Sequence, residues 1–162
     1  EKVLLTLDVG SFEKSNQKEC FEHTLEVVAS LAVRLEGMGY ALGFAANGTL
    51  TGGKSSVTPI TRSPRQISAI LETLARMKTI PSGSIAEIIK QTLGSHRGVS
   101  CVHLCYEDDP SVSDMEKFFQ KRQIPITFLV SRRDPSTRLS KGKKGIYRYS
   151  IDEIRIDRSY QT

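Results

Sequence analysis

VSCVHLCY, residues 99–106, is the stretch on which the fold turns. It is a nearly continuous apolar run of strand length, without the alternation of a strand that keeps one face wet. Such a run is expected where both faces of the strand are covered, and that is the condition of a parallel sheet held between two layers of helices.

Working outward, strand and helix signals alternate. VLLTLDV (3–9) is a short β-rich run that ends in a turn signal through Asp8, Gly10, Ser11 and Ser15. From Glu19 to Glu36, apolar residues fall at Phe21, Leu25, Val28, Ala32 and Leu35, in steps of four and three, which gives a helix with one apolar face. Gly37 and Gly39 end it, and YALGFAA (40–46) is the next strand. NGT (47–49) reads as a turn, and SSVTPI (55–60) as a short edge strand, because Pro59 has no amide for a central ladder. Ser63-Pro64 opens a helix whose apolar face is Ile67, Ile70, Leu71, Leu74 and Met77. Ser84 is the expected N-cap of the next helix, with Glu87 completing a capping box ahead of Ile85, Ile88, Ile89 and Leu93. A helix carrying Met115, Phe118 and Phe119 leads to the strand IPITFLV (124–130).

The expected order is therefore β-α-β-(β)-α-α-β-α-β, a three-layer Rossmann-like α/β fold with a mostly parallel central sheet and helices on both faces. Residues 1–131 form this domain. Residues 132–162 read as a basic loop and a terminal arm, with GIYRYSIDEIRI as a last strand or a peripheral extension. At 162 residues the chain is about one domain, large enough to bury roughly 70% of its unfolded surface, so it needs no disulfide or metal to fold. Three cysteines make no disulfide framework and lean to a reducing compartment. No apolar run approaches the roughly 20 residues of a membrane span. The chain opens at Glu1 already entering a strand, so it is expected to be a piece of a longer protein with a membrane anchor upstream.

Ligands in such sheets sit at the carboxyl ends of the strands. Asp8 follows the first strand, and Glu107, Asp108 and Asp109 follow the strand at 99–106. Carboxylates meeting there would suit Mg²⁺, which takes oxygen ligands; capping of the next helix is the competing role for the acids at 107–109. Cys101, His103 and Cys105 share one strand face, but the outer pair is about 13 Å apart, too far for one zinc ion, so they read as core. Cys20 and His23 lack a second pair at zinc-finger spacing. GTLTGGKS (48–55) matches the letters of a phosphate loop, yet SSVTPITRSP after it opens no helix to hold a phosphate. The net charge of +5 is concentrated after residue 131, where Arg132, Arg133, Arg138, Lys141, Lys143, Lys144 and Arg148 interleave with Tyr147 and Tyr149. A solvated loop, a phosphate-binding tail and a segment lying on an anionic membrane surface would all look like this.

The segments LLTLDVGSF, ECFEHTLEVVASLAVRLEGMGYALGFAANG, SPRQISAILETLARMK and GVSCVHLCYEDD, with IPITFLV, together resemble a von Willebrand factor A-like domain, and more narrowly the bacterial "domain of unknown function 58" family. The resemblance covers about residues 3–131. Such domains often bind a divalent metal through Asp-x-Ser-x-Ser, a Thr from a later turn and a further acid. By that resemblance Asp8 stands at the first acid, Gly10 and Phe12 at the two serines, Ser84 near the threonine and Glu107 near the last acid. Gly10 and Phe12 bring no side-chain oxygen, so the set Asp8, Gly10, Ser11, Ser84 and Glu107 is expected to be a degenerate metal site without a bound cofactor. The resemblance further implies a non-catalytic protein-interaction module, on the cytoplasmic side of the membrane, in a larger tethered protein whose partner is a MoxR-type AAA+ ATPase. Asn47, Asp108, Asp109, Arg132 and Arg133 are the candidate partner contacts, and nucleic acid is not an expected partner. The alternatives are a Mg²⁺-dependent enzyme acting on phosphates at the same sheet edge, and nucleic-acid binding through the basic tail.

Overall fold

The computed structural model describes residues 1–52, 56–106, 110–131 and 145–151. The elements follow in the order β1 (Lys2–Leu7), α1 (Val9–Lys14), α2 (Lys18–Gly37), β2 (Ala41–Ala46), β3 (Gly48–Leu50), β4 (Val57–Thr61), α3 (Gln66–Ala75), β5 (Met77–Pro81), α4 (Ile85–Leu93), β6 (Val99–Cys105), α5 (Pro110–Lys121), β7 (Ile126–Val130) and β8 (Ile146–Ser150). Six strands form the main sheet in the order β4-β2-β1-β6-β7-β8. Every pairing in it is parallel except that of β4, which runs antiparallel to β2 at the edge and carries Pro59. The mostly parallel three-layer architecture expected from the sequence is the one observed.

The two faces of the sheet build two cores. On one, Val3, Leu5 and Leu7 of β1 and Leu104 of β6 pack with Phe12, Phe21, Val28 and Ile70 from α1, α2 and α3. On the other, Leu4 of β1 and Cys101 and Cys105 of β6 pack with Ile85, Ile89, Met115 and Phe119 from α4 and α5. Alternate residues of one strand thus serve opposite layers, which is why residues 99–106 read as continuously apolar.

Four local expectations are corrected. The turn through Gly10 and Ser11 is a short helix, α1. The turn expected at 47–49 instead enters β3, which pairs antiparallel with β5 as a separate two-stranded sheet. Met77, expected on a helix face, is in β5 opposite Leu50, because α3 closes at Arg76 and the Arg76 carbonyl accepts from Thr51 N at 3.1 Å. The third helix begins at Gln66 rather than Pro64: a turn bonded from Gln66 N to Ser63 O precedes it. The buried Gln66 amide then ties Leu42 O and Pro59 O together at 2.7 Å each, across the irregular β2–β4 pairing. Ser84 caps α4 as expected, its hydroxyl accepting from Glu87 N.

Candidate functional site

Leu7 stands in register with Ala46 on one side and Leu104 on the other. The next residue of each strand therefore emerges at one place on the carboxyl edge, and Asp8, Asn47 and the end of β6 meet there. Asp8 N continues the ladder by donating to Leu104 O at 2.9 Å.

Asp8 is the N-cap residue of α1, but its side chain does not cap the helix. Asn47 does so from the bend just past β2: its Oδ1 accepts from Val9 N at 2.7 Å, and its Nδ2 donates to Asp8 Oδ1 at 3.2 Å. One amide thus satisfies an otherwise unpaired first-turn N–H and holds the carboxylate. Ser11 locks the other side. Its hydroxyl donates to Asp8 O at 2.8 Å and accepts from Tyr106 N at 2.9 Å, joining α1 to the end of β6. Asp8, Ser11 and Asn47 are all buried.

The neighbouring backbone is crowded into this lattice. A Cβ on Gly10 would lie 3.4 Å from Asp8 Oδ1, 3.5 Å from Asn47 Nδ2 and 3.7 Å from Pro81 Cβ. A Cβ on Gly48 would collide with the Met77 sulfur and lie 2.9 Å from Val9 Cγ2, so β3 approaches α1 as only glycine permits. Ser82 N donates to Asn47 O at 2.6 Å and draws the 81–84 turn to the same edge. Ser84 in that turn is exposed, with its hydroxyl directed to its own helix. Phe12 is fully buried and points into the core, its ring centroid 5.6 Å from Phe21 and 5.7 Å from Tyr106.

These positions set the fit to a divalent cation. Asp8 brings a carboxylate, but an amide N–H already faces it, and an N–H repels a cation. Ser11 is committed as both donor and acceptor, Gly10 has no oxygen, and Phe12 faces away. Among the described residues, no three His, Cys, Asp or Glu side chains come together as a metal site. As arranged, the described residues do not compose a cation site. Glu107, Asp108, Asp109, Arg132 and Arg133 lie outside the described residues, as do Gly53 to Ser55 of the phosphate-loop letters. Of that stretch, Gly48–Leu50 is strand, and the chain after Ser56 is β4 rather than a helix.

A second polar cluster lies under α4 and α5. Thr6 Oγ1 and His103 Nδ1 are 2.7 Å apart, and Cys101 Sγ lies 3.8 Å from the same hydroxyl. Burial lowers the His103 pKa to about 4 and raises that of Cys101 to about 12, the latter against a smaller opposing effect of the Thr6 hydrogen bond. His103 is thus a neutral core residue, edge-on to Phe128, and Cys101 and Cys105 are core as their strand face implied. Sequence reasoning did not foresee Asn47 as the cap of α1, since its partner Val9 is 38 residues away. A strand ending in Asn beside a strand ending in Asp was the available signal.

The sheet order and its carboxyl edge define a three-layer α/β domain with a mostly parallel six-stranded sheet. In particular, the chain is similar to the crystal structure of an aerotolerance-related membrane protein from Bacteroides fragilis NCTC 9343 carrying multiple mutations to serines. The TM-score is 0.51 at 14% identity, over 89% of this chain and 78% of that one, so the likeness is one of fold. No family model matches the sequence, and neither does any curated protein. Among the described residues, no helix is long and apolar enough to cross a membrane.

Proposed function

We propose that this chain is a non-catalytic protein-interaction module of the domain of unknown function 58 type, carried by a larger, membrane-tethered bacterial protein and engaging a MoxR-type AAA+ ATPase. One observation carries the reading. The polar side chains at the carboxyl edge of the sheet are turned on one another and on the backbone: Asn47 on Asp8 and Val9, Ser11 on Asp8 and Tyr106. Groups so committed shape a rigid edge for a partner to meet. The fold and the membrane-protein neighbour support a tethered module, and the exposed 82–84 turn supplies contact surface at that edge.

The test is co-purification of the full-length protein with its ATPase from native membranes. Ser82→Arg, at the exposed turn, should weaken capture at least tenfold while the thermal midpoint stays unchanged, since only the backbone of Ser82 is engaged. Undiminished capture by that variant moves the contact away from this edge. Turnover of a phosphate ester by the isolated domain, dependent on Asp8, would replace the interaction reading with the enzyme one.

A further inference from the structure

The amino edge of the main sheet, at the far end from Asp8, is an end-on surface that spans both helix layers. β1, β2, β6 and β7 begin there, and β4, antiparallel to β2, ends there with Thr61 in register with Leu42. α2, α4 and α5 close at this edge, each leading into a strand that starts there, and α3 opens from it. That order gathers cations from distant parts of the chain. Lys2 opens β1, Arg62 and Arg65 lie between β4 and α3, Arg97 precedes β6, Lys121 ends α5 and Arg122 follows it. Lys2, Arg97 and Arg122 border one cavity and Arg62 a second, and Tyr40 borders both.

Little within the described residues neutralises them. The carboxylates bordering the two cavities are Glu1 and Glu36, and Glu1 is engaged by the Tyr40 hydroxyl. Among the described residues, none of Lys2, Arg62, Arg65, Arg97, Lys121 and Arg122 makes an ion pair. Lys2 Nζ donates to Arg97 O at 3.4 Å and Arg122 to Gly94 O at 2.8 Å, and carbonyl partners position a cation without cancelling its charge. Cations at the carboxyl end of a helix are what its dipole favours, which accounts for Lys121 and Arg122 at the end of α5. Arg62 and Arg65 stand ahead of α3, Arg65 as its N-cap residue, where the positive end of the dipole opposes them. Local helix electrostatics does not account for that pair. At the same edge Met38, the C-cap residue of α2, is 62% exposed.

We infer that this edge docks on an anionic bilayer surface, with Lys2, Arg62, Arg65, Arg97, Lys121 and Arg122 against lipid phosphates and Met38 at the boundary of the acyl chains. The inference rests on the tethered module proposed above. The chain enters β1 at this edge, so a tether upstream of β1 brings this edge, and not Asp8, to the membrane. Each basic residue near an anionic leaflet adds about fivefold to partitioning. An exposed apolar side chain among the cations adds burial at the interface. A bilayer suits the edge better than single-stranded nucleic acid, because Tyr147 is the one exposed ring bordering its cavities, whereas bases need successive stacking platforms. The carboxyl edge, at the other end of the strands, stays open to a protein partner.

The experiment is co-sedimentation of the chain with vesicles of phosphatidylcholine and phosphatidylglycerol. Partitioning should grow with the phosphatidylglycerol fraction, fall with added salt, and vanish on phosphatidylcholine alone. Arg62→Glu and Arg97→Glu, both at exposed positions, should each weaken it by about fivefold or more. The thermal midpoint of Arg62→Glu should be no lower, because an acid ahead of α3 suits the helix dipole. With the ¹⁵N-labelled chain, bicelles of the same lipids should shift amides at 36–40, 62–65 and 95–98. The inference is overturned if anionic vesicles do not retain the chain, or if the double reversal partitions as well as the unaltered chain, which would assign binding to the basic segment 132–144. It is overturned equally if inorganic phosphate competes at millimolar concentration, which would make this a small-anion site, or if an oligonucleotide binds the edge more tightly than the vesicles do. No ATPase is present in the assay and the vesicles do not test the contact at Ser82, so failure here leaves the carboxyl-edge reading standing.

Discussion

Asn47 caps a helix that it does not belong to: its side-chain oxygen takes Val9 N at 2.7 Å while its amide nitrogen holds Asp8 Oδ1 at 3.2 Å. The pair ties the end of β2 to the start of α1 and fixes the orientation of the Asp8 carboxylate. Asn47→Ala leaves a buried N–H and a buried carboxylate without that partner. It should destabilise the fold by about 2–3 kcal/mol, measured by urea unfolding. A change under about 0.5 kcal/mol would mean that water replaces the amide without loss.

Ser11 makes the matching joint to β6. Ser11→Ala removes the acceptor for Tyr106 N and should destabilise by about 1–3 kcal/mol. Hydrogen exchange at the Tyr106 amide should quicken more than at Leu5, which lies in the middle of β1. Equal acceleration at both would show a general loosening instead of a local one.

Millimolar Mg²⁺ or Mn²⁺ should leave the thermal midpoint of the chain unchanged, since the Asp8 carboxylate faces an amide N–H. Asn47→Asp removes that donor and sets a second carboxylate beside the first. This variant should lose stability at neutral pH and recover part of it when either cation is added. A rise in the midpoint of the unaltered chain with metal would overturn the hydrogen-bonded reading of the edge.

Buried His103 makes stability pH-dependent in a defined direction. Its pKa in the folded chain is about 4, below the ordinary 6.5. As pH falls below 6.5, the unfolded chain takes up the proton first, so stability is full above that value and declines toward pH 4. The loss from this group reaches about 3 kcal/mol, at about 1.4 kcal/mol per pH unit. His103→Gln should flatten this part of the stability–pH curve; an equally steep curve would assign the slope to other groups.

The three thiols should separate by access. Cys20 is half-buried, whereas Cys101 and Cys105 are each 1% exposed and Cys101 is held protonated by burial. Titration with a thiol reagent should modify one cysteine quickly in the native chain and all three in denaturant. Rapid native reaction at Cys105 would contradict the packing of β6 against α5.

The helices α2 to α5 and the strands β1, β2, β6 and β7 were legible because their signals are local. A helix announces itself every three or four residues, as Phe21, Val28 and Ala32 do, and a strand covered on both faces announces itself as an unbroken apolar run. Ser84 was legible as a cap because its partner Glu87 N lies within the same turn. What failed was whatever depends on distant partners. Met77 fits a helix by periodicity and lies in a strand because Leu50 is there to pair with it. The letters of 48–55 fit a phosphate loop, yet Gly48 is small because β3 passes against Met77 and Val9.

The sequence by itself determined the layers, the parallel sheet and the place of Asp8 at its carboxyl edge, since periodicity and alternation of elements are written along the chain. Only the tertiary structure decided what Asp8 does. Its carboxylate is held by an asparagine just past β2, and its carbonyl by a serine bonded across to Tyr106. It also decided that Val102, Thr127 and Tyr147 stand in register across β6, β7 and β8. Hydrogen-bond partners and cavities are properties of distances in space, and no spacing along the chain encodes them.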